Sequence, residues 1–367
     1  MKRIGIMTFY GAKNFGANLQ AYALQTVLSQ QFSVAIINYK SRSIHKAYYQ
    51  KKDLKEIVKD FIKSIVFYKY ISRVKKKRKL FEEFNSKYTE STRIYTSEDI
   101  FQINEEFDIV ISGSDQVWND RLLSGDWNYL LPFLDSSKKY SYAASFGGKT
   151  IKEENKEIYK KLISSYQSIL LRENSGIEVL RQIGIDNHNV KVVSDPVFLM
   201  SQTEWKKRLS LSGTRTNDYI LILIIAKETY SIEYASELSK EMNCHVKFIN
   251  INDSRNGLVS DFDNIIEVGP IEFLNLIINA KCVVTTSFHA LAFSLIFNTP
   301  FFFELNHSPV NNNDRIEQLS TMFGLQQYEI TSPNATGIGE YDWERINLIL
   351  DKYRNESLKI LFDSLPN

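Results

Sequence analysis

Apolar positions along the chain alternate between short unbroken runs, as in buried strands, and stretches spaced at helical intervals. Ile4 to Phe9 is the first such run. A glycine-bearing loop, Gly11 to Gly16, leads into a helix on which Ala17, Ala21, Leu24 and Leu28 fall at i, i+4, i+7 and i+11. Val34 to Tyr39 returns as a strand, so the N-terminal stretch reads as a β-α-β unit, the building block of a parallel sheet covered on both faces. Residues 53 to 87 read as helical and highly charged. Further strands are predicted at Asp108 to Ser112, Tyr140 to Ser145, Ile169 to Leu171 and Val190 to Val193, with helical stretches between them. After Asp195-Pro196 the alternation starts afresh. Strands at Tyr219 to Ala226, Val246 to Ile249, Cys282 to Thr285 and Phe301 to Leu305 intersperse with helices at Ile232 to Met242, Ile271 to Ala280 and Phe288 to Phe297. Trp343 to Leu361 again has helical spacing.

The expected fold class is therefore α/β, GT-B-like, with two Rossmann-like domains facing an interdomain cleft. Residues 1–197 form the first domain, 198–340 the second, and 341–367 a helix packing back on the first. A length of 367 residues suits two domains and a large core. With 45 basic against 43 acidic side chains, nothing in the overall charge draws the chain to nucleic acid. Cys244 and Cys282 lie far apart inside apolar runs, which suits reduced thiols in a cytoplasm and leaves no zinc knuckle. Met1-Lys2-Arg3 before Ile4 to Met7 imitates a signal peptide, but the apolar stretch is short and no cleavage site follows. The longest apolar region, Phe288 to Phe303, is broken by His289, Asn298 and Pro300, so no span is expected.

Three motifs imitate chemistry. Ala143 to Thr150 ends like a phosphate loop but has Ala143 where the first glycine belongs. Asp261-Phe262-Asp263 has the spacing of a metal-binding pair without a third oxygen ligand nearby, and is expected to be a solvated loop. Residues 67–79 interleave Lys69, Arg73 and Lys75 to Lys79 with Phe67, Tyr68, Tyr70 and Ile71. They read as a solvated helix face or as a peripheral surface for anionic headgroups or diphosphates.

The strand-to-helix passages carry the candidate site. Lys281 to Ala290 runs from a strand into a helix, with Ser287 as the expected N-cap and His289 in the first turn, where unpaired amides and the helix dipole favour an anion. Ile169 to Glu173 repeats this geometry. Arg172 there is read either as a clamp for a carboxylate or phosphate or as the partner of Glu173 or another acid. Phe107 to Trp118 ends a third strand in a small-residue turn: Asp115 is a general base or a cap, and Trp118 a platform for a sugar face or a core residue. Arg315, after Asn311 to Asp314, is a second anion clamp or a surface residue.

At these residues the chain resembles the polysaccharide pyruvyl transferase family. The resemblance rests on Asn14 to Tyr22, Gly113 to Trp118, Tyr142 to Gly147, Arg172-Glu173, Ser194-Asp195-Pro196, Ser287-Phe288-His289 and Asn298-Thr299-Pro300 in order. It implies a transferase that moves pyruvate from phosphoenolpyruvate onto two hydroxyls of one sugar, in a cell-surface polysaccharide or its lipid-linked precursor. A cyclic ketal forms and phosphate leaves. Under it the first domain is the acceptor side and the second the donor side, and Gly16, Asn18 and Trp118 join the substrate-binding residues. Ala290 stands where many relatives carry glycine, and its methyl is expected to narrow access to the donor. Arg172 and Arg315 would hold the donor's charges, with Ser287 and the helix amides adding positive potential. His289 would be the acid or phosphate clamp, Asp115 the base, and His307 a reserve acid. No cofactor or metal enters this scheme, and localisation is expected to be cytoplasmic, at most peripheral at the inner membrane face. The rivals are a GT-B glycosyltransferase using a nucleotide sugar and a non-catalytic glycan- or anion-binding subunit.

Overall fold

The computed structural model describes residues 1–41, 68–186, 190–213, 218–225, 229–251, 259–306, 313–334 and 339–366. It divides into two compact units, the first comprising Met1–Tyr68, Glu82–Leu199 and Tyr353–Asn367, the second Lys69–Phe81 and Met200–Lys352.

In the first unit, β1 (Arg3–Met7), α1 (Phe15–Leu28) and β2 (Ser33–Tyr39) form the expected β-α-β unit. Then come α2 (Tyr68–Tyr88), β3 (Ser91–Tyr95), β4 (Ile109–Ser112), β5 (Lys139–Ser141), α3 (Lys156–Ile163), β6 (Ile169–Leu171), α4 (Ser175–Gln182) and β7 (Val190–Val192). All pairings are parallel, in the order β3-β2-β1-β4-β5, with β6-β7 as a further pair. Single bridges Tyr140↔Ser168 and Ala144↔Leu171 tie that pair to β5, so the order continues to β7. The direction of succession reverses between β1 and β4. At such a switch point the loops beyond the strand ends part and leave a crevice. β4 is buried along its whole length, as a central parallel strand covered on both faces must be.

The helical stripe of α1 leads one to expect a one-sided helix, yet every residue except Thr26 is buried. Its polar members are satisfied inside: Gln25 Nε2 donates to Val34 O (3.0 Å) and Glu90 O (2.7 Å), and its Oε1 accepts from Glu90 N. Tyr22 packs edge-on against Phe84 of α2. The strand expected over Tyr140 to Ser145 ends at Ser141, because Ala143 turns the chain at φ 49°. Of the charged helix expected over residues 53 to 87, the part before Tyr68 lies outside the described residues.

In the second unit, α5 (Gln202–Arg208) is capped by a Ser201–Glu204 box. It is followed by β8 (Tyr219–Leu223), α6 (Ser231–Glu241), β9 (His245–Ile249), β10 (Asp263–Ile265), α7 (Pro270–Asn279), β11 (Cys282–Thr285), α8 (Phe288–Phe297), β12 (Phe301–Phe303), α9 (Asp314–Phe323) and α10 (Trp343–Ser364). Its five strands are parallel in the order β10-β9-β8-β11-β12, a second Rossmann-like sheet with its reversal between β8 and β11. Phe293 of α8 centres the core, edge-on to Trp205 (5.2 Å) and Phe273 (6.1 Å). Tyr328, Tyr341 and Trp343 stack in series at 4.1 and 4.8 Å, fixing the start of α10.

Candidate functional site

In the first unit the loops at the switch point are tied together by side chains. Thr8 Oγ1, just past β1, donates to Ser114 O (2.9 Å) and accepts from Gln20 Nε2 of α1 (2.9 Å). Asn14 caps α1 through Oδ1 to Ala17 N (3.1 Å). Asn18 Nδ2 donates to Ala12 O and Asn14 O, both at 2.7 Å, so the amide pins the loop from inside. Gly16 is buried in the first turn beside it. After β4 the chain kinks at Gly113, φ 126°, where a Cβ would run into Tyr142 O. Asp115 follows at φ 75° with 8% exposure, its Oδ1 accepting from Gln116 N (2.8 Å).

Arg172, at the end of β6, is 2% exposed and surrounded by acids. Its Nη1 donates to Asp195 Oδ2 (3.0 Å), its Nε pairs with Glu173 Oε2 (3.4 Å), and its Nη2 stands 4.0 Å from Asp115 Oδ1. Burial alone lowers the pKa of the guanidinium. The charges of Glu173, Asp195 and Asp115 more than offset this and leave it above the ordinary value. Of the two readings of Arg172, the structure has the partner of acids; a lone cation awaiting an anion is not what is found. Trp118 is likewise corrected. It is fully buried, with Nε1 donating to Ser112 Oγ (3.1 Å) and the ring packed against Phe146 and Tyr166. No ring face is open to a sugar, so Trp118 is a core residue.

In the second unit, two threonines join the ends of β8 and β11. Thr285 Oγ1 donates to Leu223 O (2.6 Å) and accepts from Ser287 N (2.9 Å), while Thr286 Oγ1 accepts from Ile225 N (2.8 Å). Ser287 occupies the N-cap position with extended backbone, but its side chain makes no capping bond. α8 begins at once with Phe288 and the half-buried His289, whose rings meet edge-on at 5.1 Å. The Arg315 guanidinium, from the first turn of α9, lies over the same Phe288 ring at 5.2 Å. The start of α8 thus gathers an imidazole, a guanidinium and a hydroxyl around a helix N-terminus. His307 lies outside the described residues.

Residues 14–308 match the family pattern described as polysaccharide pyruvyl transferase. The chain belongs to the polysaccharide pyruvyl transferase family. As a family member it is a transferase of polysaccharide biosynthesis with a sugar acceptor, which removes the non-catalytic rival. No curated protein sequence matches it significantly. Among solved structures, UDP-GlcNAc 2-epimerase from Methanocaldococcus jannaschii is similar over 97% of this chain and 93% of its own, with 13% identity and a TM-score of 0.53. Anabaena Alr3699/HepE, solved in complex with UDP-glucose, is similar over 99% of this chain and 93% of its own, at 9% identity and a TM-score of 0.51. Identities this low speak for fold alone, and the fold is GT-B-like with two Rossmann-like sheets.

The motifs that imitate other chemistry are not realised in this transferase. No helix opens after Ala143 to Thr150: residues up to Lys152 are irregular, and Gly147, φ 70°, would drive a Cβ into Asn119 and Gln116. Asp263 opens edge strand β10, and among the described residues no group of three or more His, Cys, Asp or Glu side chains could hold a metal ion. Burial pushes the Cys282 thiol far above its usual value, as for an inert core thiol. Ala290 is fully buried, so its methyl packs in the core and presents nothing to a donor. The partners of Arg172 escape sequence reasoning because Asp195 and Asp115 are remote along the chain and reach it only through the sheet.

Proposed function

We propose that this transferase moves the pyruvyl group of phosphoenolpyruvate onto two hydroxyls of one sugar, in a surface polysaccharide or its lipid-linked precursor. The observation that supports the reading is the sharing of the Phe288 ring by Arg315 and His289 at the start of α8. A donor with one carboxylate and one phosphate needs cations and oriented amides in one place, and that helix start supplies both. Arg172 is already outweighed by three carboxylates, so the donor's charges are assigned to Arg315, Ser287 and the α8 amides.

In the proposed sequence His289 delivers a proton to the donor's methylene carbon, making it a methyl group. The adjacent carbon, now oxocarbenium-like, forms a C–O bond with the first sugar hydroxyl. The second hydroxyl adds there as the C–O bond to phosphate breaks. Two hydroxyl protons are released; one restores His289 and the other leaves with phosphate. The donor is a substrate, and the scheme draws on no cofactor or metal.

The test is incubation with glycan and either phosphoenolpyruvate or a nucleotide sugar, reading phosphate against nucleoside diphosphate and the product mass for a ketal. Phosphate release is expected. His289→Gln should lower kcat by roughly 10²–10⁴, the span of a lost acid–base group, and Arg315→Gln should act mainly on the KM for phosphoenolpyruvate. Nucleoside diphosphate release, or a His289→Gln enzyme as active as wild type, would overturn the reading in favour of a sugar nucleotide donor or a different acid.

A further inference from the structure

We propose that the first unit carries a glycan-binding subsite centred on Trp127. A cavity of about 600 Å³ opens beside the end of β2, with Tyr39, Ser97, Asp126, Trp127, Asn128 and Lys161 among its lining. That volume is in the ~300–1,000 Å³ range of small-molecule sites. It shares no lining residue with the Asp115–Arg172 cluster.

Three features point to a polyhydroxylated, uncharged ligand. Trp127 is half-buried, braced edge-on by the buried Tyr159 at 5.5 Å, so the indole is a rigid apolar plate. Next to it stand polar groups that orient one another. The Tyr39 hydroxyl lies 3.0 and 2.9 Å from the two Asp126 carboxylate oxygens, and Asn128 Nδ2 donates to Tyr39 Oη (2.7 Å) and to Asp126 Oδ1 (2.9 Å). Asp126 Oδ2 takes only the Tyr39 bond among these, and a carboxylate oxygen accepts two. Lys161 and Asp126 are the charged side chains of the lining and their formal charges cancel, so a phosphate or nucleotide would meet little net attraction. A pyranose has what remains: an apolar face of C–H groups for the indole and vicinal hydroxyls for a carboxylate and an amide held side by side. The inference rests on the reading that a glycan is the acceptor, for which this cavity would hold one sugar unit.

The experiment uses the full chain, isotope-labelled at its four tryptophan indoles. Methyl glycosides of glucose, galactose and mannose are titrated in, with inorganic phosphate and uridine monophosphate in parallel, and the indole N–H resonances are followed by NMR. Trp127→Phe identifies the relevant signal. At least one glycoside is expected to shift it saturably while the signal of buried Trp118 stays still. Asp126→Asn should weaken the affinity roughly tenfold, the scale of one lost hydrogen bond to a charged group, and Ser97→Ala checks the same wall with less risk to the fold. A Trp127 shift with phosphate or nucleotide but no glycoside, or no shift with any of them, overturns the proposal. The readout needs no turnover, so failure of the phosphoenolpyruvate reading leaves this titration unaffected, and a silent titration leaves phosphate release standing.

Discussion

Arg172 shows how one side chain changes meaning once its neighbours are known. A guanidinium at the carboxyl end of a strand is the right group for an anion clamp, and the sequence places Glu173 beside it as the competing explanation. What decides is Asp195, 3.0 Å away, and Asp115, 4.0 Å away, both brought in by other strands. Replacing Arg172 with Met removes the cation and leaves three buried acids without it, which should cost ~3–5 kcal/mol. A urea titration followed by fluorescence checks this as a shift in midpoint, and Lys at the same position should recover only part, since a point charge lacks the planar fork. A stable Arg172→Met protein that has lost phosphoenolpyruvate affinity would restore the clamp reading. Trp118 follows the same logic. Its place beyond a strand end is visible in the sequence, but the Ser112 hydroxyl and Tyr166 ring that enclose it are not. Trp127, in a short turn without a period, gives no signal in the sequence, and only the folded loop puts it beside Tyr39.

Glu304, at the end of β12, carries the next scale. Its fully buried carboxylate accepts from Tyr230 N (2.9 Å), Ser231 N (2.9 Å), Ser231 Oγ (2.6 Å) and the Thr229 hydroxyl, so it fills the N-terminus of α6. The amides at the start of α6 are thereby spent on the protein's own anion. At the start of α8, by contrast, the N-cap side chain of Ser287 makes no capping bond, which is why the proposed donor site is set there. Glu304→Ala should destabilise the second unit by ~1.5–3 kcal/mol through unmade bonds to a charged acceptor. Faster amide exchange in the first turn of α6, with α8 unchanged, is the measurement. Legibility among the elements follows burial. The central strands β1, β4, β6, β8 and β11 are continuous apolar runs and could be read within a few residues. Edge strands β3 and β10 could not: Ser91–Tyr95 is mostly exposed, Asp263–Ile265 is exposed at Asp263 and half-buried after it, both are mostly polar, and their strand character comes from pairing with β2 and β9. The stripe on α1 was legible, but its polar side chains gave no hint of how completely they would be buried.

At the scale of the whole molecule the boundaries of the two units fall within α2 and α10 as well as between Leu199 and Met200, and the first of these bears on the basic segment. Not all its charge faces water. Lys77 is 2% exposed and its Nζ donates to Asn250 O (3.2 Å) and Ile251 O (3.1 Å), holding α2 to the end of β9 within the second unit. Arg73 donates to Asn264 O (3.2 Å) and, with Lys76, approaches Glu267. Lys75, Lys76, Arg78 and Lys79 are exposed. No helix among the described residues is long and apolar enough to cross a membrane. At ~1 kcal/mol per basic side chain near an anionic surface, four such groups amount to roughly 10²–10³ in partitioning, and salt should erase most of it. Full-length protein spun with phosphatidylglycerol-containing vesicles at low salt is therefore expected to co-sediment, and to be released as salt is raised. Changing the four exposed residues to Gln should abolish co-sedimentation while moving the urea midpoint less than the single change Lys77→Gln. Lys77→Gln should do the reverse, lowering stability and leaving vesicle binding intact, because its charge is turned inward. Wild-type protein that stays in the supernatant at low salt would establish the segment as a solvated helix face that carries one internal anchor.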